Sequence, residues 1–152
     1  MKSRFLTPSA AIIMLLKANG GKTEVLLQRR KSTGFMDGKW DLSYSGHVEQ
    51  GESMTQAAVR EANEELGVVI SPDKMKFFVL IHKRDEEYDL TYFNAYFACE
   101  KFLGEPKICE MEKCSELKWF DLDNLPDDLI DDRKQAVNAY KSGKHYIEYG
   151  WK

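Results

Sequence analysis

Residues Ser53 to Gly67, SMTQAAVREANEELG, constrain this chain more than any other stretch. Ser53 and Gln56 form an S-x-x-Q capping box, Met54 to Leu66 are mostly good helix formers, and Gly67 sits where a left-handed C-terminal residue belongs. The pattern predicts a helix of about three and a half turns. At about 100° per residue, Glu61, Glu64 and Glu65 fall within an arc of roughly 100°. Met54, Ala58, Val59, Ala62 and Leu66 continue around one side of that arc. A helix that buries this apolar side must hold three carboxylates at the border of the core, where they line a cleft. Like charges at i,i+3 and i,i+4 cost a few tenths of a kcal/mol each in water, and considerably more as water is withdrawn. No lysine lies close in sequence; Arg60 can reach Glu64 at i,i+4 and orient the acids. The ordinary alternative is a solvated acidic face.

The rest of the chain alternates strands and turns. Ala10 to Leu16 and Glu24 to Arg30 flank ANGGK, where Asn19, Gly20 and Gly21 can take the positive φ of a short hairpin. A polar, glycine-containing loop, Lys31 to Lys39, leads to a short strand from Trp40. Beyond the helix, Lys76 to Lys83 and Tyr88 to Glu100 read as a second hairpin turning at RDEE. A strand follows from Glu116, a turn at Pro126, and a closing helix from Asp132 to Gly143. Asp132 opens that helix as a D-x-x-Q cap. The expectation is a mixed sheet with two helices in one domain, residues 1–152.

Composition narrows the partner. A formal charge of −3 and a pI near 5.7 give no basic field for tracking a nucleic-acid backbone, so no stable nucleic-acid partner is expected. Cys99, Cys109 and Cys114 are odd in number and form no C-x-x-C pair, which suits reduced thiols in a cytoplasmic protein. The apolar run near the N-terminus is interrupted by Pro8 and is read as a core strand, neither a cleaved signal nor a membrane span.

Gly46, Glu52, Arg60, Glu61, Ala62, Glu64, Glu65, Gly67 and Val68 together fill every fixed position of GX5EX7REUXEEXGU, and the chain thereby resembles the Nudix hydrolases, MutT-like nucleotide pyrophosphohydrolases. The resemblance implies an α/β/α sandwich, a mixed β-sheet between helices, and hydrolysis of a nucleoside diphosphate linked to another moiety with Mg2+ or Mn2+. It implies Glu61, Glu64 and Glu65 as direct metal ligands, the Gly46 carbonyl as another, and Glu52 as a ligand through water or an orienter of the loop. Arg60 would stand behind the ligands, and the general base would be Glu61 or Glu64. Hard divalent cations take oxygen ligands, and Mg2+ binds through a few carboxylates plus substrate phosphates. Farther along, the segment from Gly104 to Pro126 resembles one that sends a glutamate to the metals in many small members, with Glu110 the best match and Glu112 second.

Substrate contacts are expected from aromatic and hydrogen-bonding side chains. Arg29, Tyr44, His47 and Trp119 are the candidates retained, with Phe35, Phe93, Arg30 and Lys39 behind them, each weighed against simple packing or solvation. Asp131 and Asp132 can read a purine edge, though capping is the preferred role for Asp132. SYSGHVE replaces the commoner PGGGVE, which leaves the ligands intact and loosens the substrate analogy. The leading expectation is conversion of a nucleoside triphosphate, oxidised purines such as 8-oxo-dGTP included, to monophosphate and pyrophosphate. Cleavage of ADP-ribose or a dinucleotide is the alternative; its enzymes commonly add dimerising elements, for which nine residues before the first strand leave little room. A non-catalytic nucleotide-sensing module is the reading from another class. The protein is expected as a monomer or homodimer with a small-molecule partner.

Overall fold

A computed structural model describes residues 2–152. The strands are β1 Ser9–Asn19, β2 Lys22–Arg30, β3 Trp40–Leu42, β4 Tyr44–His47, β5 Met75–Asp85, β6 Leu90–Cys99, β7 Cys114–Asp121 and β8 Tyr146–Tyr149; the helices are α1 Met54–Glu61 and α2 Asp131–Ser142. The sheet runs β3-β2-β1-β6-β5-β8, with β4 also on β1 and β7 also on β2. It is mixed, because β1–β6 and β5–β8 are parallel and the other ladders antiparallel.

The unbroken apolar run AAIIMLL follows from a strand covered on both faces. Ile12, Met14 and Leu16 join the core that Ala136 and Val137 of α2 close. Ile13 and Leu15, on the opposite face, pack with Ala58, Ala62 and Leu66 of the acidic segment. Helices therefore cover the sheet from both sides, and the α/β/α sandwich that the resemblance implies is the fold observed.

Four local expectations change. The acidic helix is α-helical only to Glu61; Ala62–Leu66 form a π turn that ends at Gly67, φ 68°. Such turns accommodate an extra residue and recur at functional sites. The capping box itself is present, with Gln56 N donating to Ser53 Oγ at 3.1 Å and Ser53 N to Gln56 Oε1 at 2.8 Å. In the first hairpin Gly20 and Gly21 carry the positive φ, whereas Asn19 stays paired with Lys22. The second hairpin turns at residues 86–89, two residues later than RDEE, because Arg84 and Asp85 remain in β5. Asp132 does not cap α2: the cap position is Ile130, with no side-chain bond. The Asp132 carboxylate is buried instead against Arg133 Nη1 at 3.2 Å and Lys83 Nζ at 3.3 Å, charge-assisted partners that a solvated cap does not offer. Strand β8 was not foreseen, since four residues after Gly143 carry too little pattern; it extends the sheet beside Leu80 to Lys83.

Candidate active site

The two halves of β1 have different neighbours on the same edge. Leu16 to Asn19 pair with β2, while Ala10 to Ile13 pair with β4. Where β2 and β4 part, a cleft of about 820 Å³ opens. Glu61, Glu64, Glu65 and Glu110 line it together. The acids from the helix and the acid from the distant loop thus share one space.

Arg60 organises the acids more extensively than its i,i+4 spacing suggests. Its Nε and Nη2 hold both oxygens of Glu52, at 2.8 and 2.9 Å, and its Nη1 reaches Glu61 at 2.6 Å and Glu64 at 3.3 Å. The Arg60 hydrogen bond, followed by the Glu49 amide, holds Glu52 at a pKa of about 2. Both oxygens are thus engaged, and one also accepts from Glu49 N at 3.0 Å, so Glu52 ties its own loop to Arg60. Gly46 is dictated by contact: a Cβ there would lie 2.2 Å from Glu61 Cγ and 2.6 Å from Glu61 Oε1. Only glycine lets this carboxylate lie against the β4 backbone.

Glu65 is the acid of the group with no cationic partner. Its Oε2 is buried with no hydrogen-bond partner, the only such side-chain atom among the described residues. Burial, then the charges of Glu61 and Glu110, push its pKa up to about 8. Burial also raises Glu61, against the pull of Arg60, with Glu64 and Glu110 adding to the rise. Among the described residues no three acidic, histidine or cysteine side chains converge as a finished ligand cage; Arg60 draws Glu61 and Glu64 to itself. The donors are all oxygen, one of them is orphaned, and the local charge is negative, so these residues fit a hard divalent cation.

The other predicted residues divide. His47 lines the cleft, 5.8 Å from the Tyr92 ring, and Phe35 and Arg30 line it from the loop after β2 and the end of β2. Tyr44 is fully buried and donates to Ala58 O at 2.9 Å, so it holds β4 to α1 and cannot meet substrate. Arg29 turns outward, donating to Gly38 O at 2.9 Å with its guanidinium 4.5 Å from the Trp40 ring centroid, because alternation along β2 gives the cleft to Arg30. Trp119 packs with the opposite core under Lys17, 4.3 Å from its ring centroid. Phe93 stacks on His82 at 4.4 Å, and neither Lys39 nor Glu112 lines the cleft.

At the opposite end of the cleft, sequence reading named Arg30 and Asp132 but missed Asp41, Lys83, Asn94 and Arg133. There Asp41 binds Arg30 Nη1 at 2.9 Å and Arg133 Nε at 2.7 Å, and Asp132 joins Arg133 to Lys83. Burial works against the Asp41 charge, but Arg133 and Arg30 outweigh it and hold Asp41 below the usual carboxylate range. The available signal was Asn94, a polar residue inside the apolar run YFNAYFA of β6.

A sequence profile of the NUDIX domain matches residues 6–140. This chain belongs to the Nudix hydrolase family. Its sequence is 28% identical over 138 residues to a putative 8-oxo-dGTP diphosphatase of Bacillus subtilis, covering 90% of this chain and 81% of that one. It is 29% identical over 141 residues to an ADP-ribose pyrophosphatase of Methanocaldococcus jannaschii, covering 93% and 78%. The fold resembles the crystal structure of a MutT Nudix hydrolase from Burkholderia pseudomallei, with a TM-score of 0.77 at 24% identity over 89% of this chain and 98% of that one. In this Nudix hydrolase the family's box therefore corresponds to the β4 end, the loop carrying Glu52, α1 and the π turn. No helix among the described residues is long and apolar enough to cross a membrane.

Proposed function

We propose that this Nudix hydrolase converts a nucleoside triphosphate, with oxidised purines among its substrates, to the monophosphate and pyrophosphate, using Mg2+ or Mn2+. The observation that carries the reading is Glu65: a buried carboxylate with an orphaned oxygen, next to Glu61 and Glu110, facing a cleft large enough for a nucleotide. Such a group is costly unless a cation and a polyanion share the space.

Glu61, Glu64, Glu65, the Gly46 carbonyl and Glu110 would hold the ion. When bound, a divalent cation neutralises phosphate oxygens and lowers the pKa of a water. Arg60 fixes the side chains of Glu52, Glu61 and Glu64 with its three nitrogens, and so sets where those carboxylates stand before substrate arrives. Glu61 or Glu64 accepts the proton of the attacking water. That water forms a bond to phosphorus while the bond between the α-phosphorus and the bridging oxygen breaks, and pyrophosphate leaves with the bridging oxygen. Gly46 keeps the space beside Glu61 open.

The likeness to a putative 8-oxo-dGTP diphosphatase supports a triphosphate substrate, and the likeness to an ADP-ribose pyrophosphatase names the competitor. A panel of nucleoside triphosphates, ADP-ribose and dinucleotides with Mg2+ and with Mn2+ decides. Monophosphate and pyrophosphate release is expected to be fastest from a triphosphate. Faster AMP release from ADP-ribose overturns the assignment, and tight binding without turnover of any member makes the protein a sensor.

A further inference from the structure

We infer that Asn94 and Lys83 form a reader for a nucleobase edge rich in carbonyl oxygens, so that the enzyme selects keto bases such as guanine or uracil against adenine. The inference rests on the nucleotide reading above and deepens it.

Alternation along β6 places Asn94 on the same sheet face as Tyr92 and Tyr96, the face that bears the cleft. It is 6% exposed and lines the cleft, so the little surface it retains is open to that space. Among the described residues neither its Oδ1 nor its Nδ2 enters a side-chain hydrogen bond, although its neighbours Ala10 and Ile81 hold its backbone in the sheet. Neither atom is sealed from solvent, so the amide presents its donors and its acceptor to whatever occupies the cleft. One residue pair along, Tyr92 faces Lys83, which makes Lys83 a diagonal neighbour of Asn94 on that face.

Lys83 is 9% exposed and its ammonium meets one carboxylate, Asp132 at 3.3 Å; an ammonium has three donors. The remaining charges facing this end are Arg30 and Arg133, both on Asp41, with Arg133 also on Asp132. Three cations against two carboxylates leave one surplus positive charge, while Asp85 lies at the half-exposed rim and accepts from Tyr88 N at 3.3 Å. Arg30 donors are already committed to Phe35 O, Asp41 and Thr33. Donors without partners are thus concentrated on Lys83 Nζ, Arg133 Nη2 and Asn94 Nδ2, with Asn94 Oδ1 as the acceptor among them. A carbonyl next to a ring N–H complements that set. The exocyclic amino group of adenine would place a donor against an ammonium. The Phe35 ring, 5.0 Å from Lys83 Nζ and 5.2 Å from the Arg30 guanidinium carbon, walls this corner and limits access of water to the cations.

The test is the ratio of kcat/KM for dGTP and for dUTP to that for dATP, in wild type and in Asn94→Leu, which keeps the volume and removes the amide. Wild type should favour the keto bases by at least about tenfold, and Asn94→Leu should shrink that ratio by about tenfold, chiefly through a higher KM for dGTP. Asn94→Asp, which keeps an acceptor and removes the donors, serves if the leucine variant does not fold, and should shrink the ratio likewise. Wild type that treats dATP as well as dGTP, or a variant that keeps the wild-type ratio, overturns the inference. If no triphosphate is turned over, the proposed reaction fails separately, and calorimetric binding of dGMP against dAMP to the wild type decides the base preference: tighter dGMP binding upholds it, equal or tighter dAMP binding overturns it.

Discussion

Replacing Glu65 with glutamine should stabilise the metal-free protein, and increasingly so as pH rises. The Glu65 pKa is raised from 4.5 to about 8 in the folded protein, so between those values the native state retains a proton that the unfolded chain has released. Stability contributed by this group is fully present below about pH 4.5, falls as pH rises, and is lost above about pH 8. At 1.36 kcal/mol per unit, moving from pH 5 to pH 8 should cost wild type about 3–4 kcal/mol relative to a glutamine that cannot ionise. For a chain of this length that is a melting-temperature difference of roughly 10 °C. The assay is thermal unfolding of both proteins in chelator across this pH range, with the difference between the curves as the readout, since every other titrating group is common to both. Curves that stay parallel from pH 5 to pH 8 would refute the argument that Glu65 is buried and uncompensated.

Three further outcomes follow from the geometry. Gly46→Ala would put a methyl carbon 2.2 Å from Glu61 Cγ, so the carboxylate must move; a stability loss of about 1–3 kcal/mol by denaturant titration and a loss of most turnover are expected, and unchanged kinetics would refute the contact. Glu64→Gln removes charge from a half-exposed side chain and should keep the melting curve while lowering kcat by about 100-fold; near-normal turnover would remove Glu64 from the site. Adding Mg2+ at about 100 times its dissociation constant should stabilise the wild type by about 2.7 kcal/mol in calorimetry, and an absent shift, with or without nucleotide, would favour a solvated acidic face.

Local chemistry in the sequence determined the acidic segment. Ser53, Gln56 and Gly67 act on backbone groups within a few residues, so the cap and the helix end were legible, as was β1 as a core strand from AAIIMLL. The box spacing led to the family, and the grouping of Glu61, Glu64 and Glu65 followed from helical periodicity, although the change to a π turn after Glu61 did not. Side-chain direction and burial were decided by contacts far apart in the chain. Which of Arg29 and Arg30 faces the cleft depends on the register of β2, and Tyr44 is removed from it by the Ala58 carbonyl of α1. Asp132 looked like a cap because its neighbours in sequence favour one; Lys83, some fifty residues earlier, supplies a stronger partner that only the packing of α2 on β5 brings near. Sequence thus determined where negative charge gathers, because that depends on spacing along one element. The tertiary structure alone decided what stands opposite it, because Asp41, Lys83, Asn94 and Arg133 meet only when strands and helix from separate parts of the chain close around the same space.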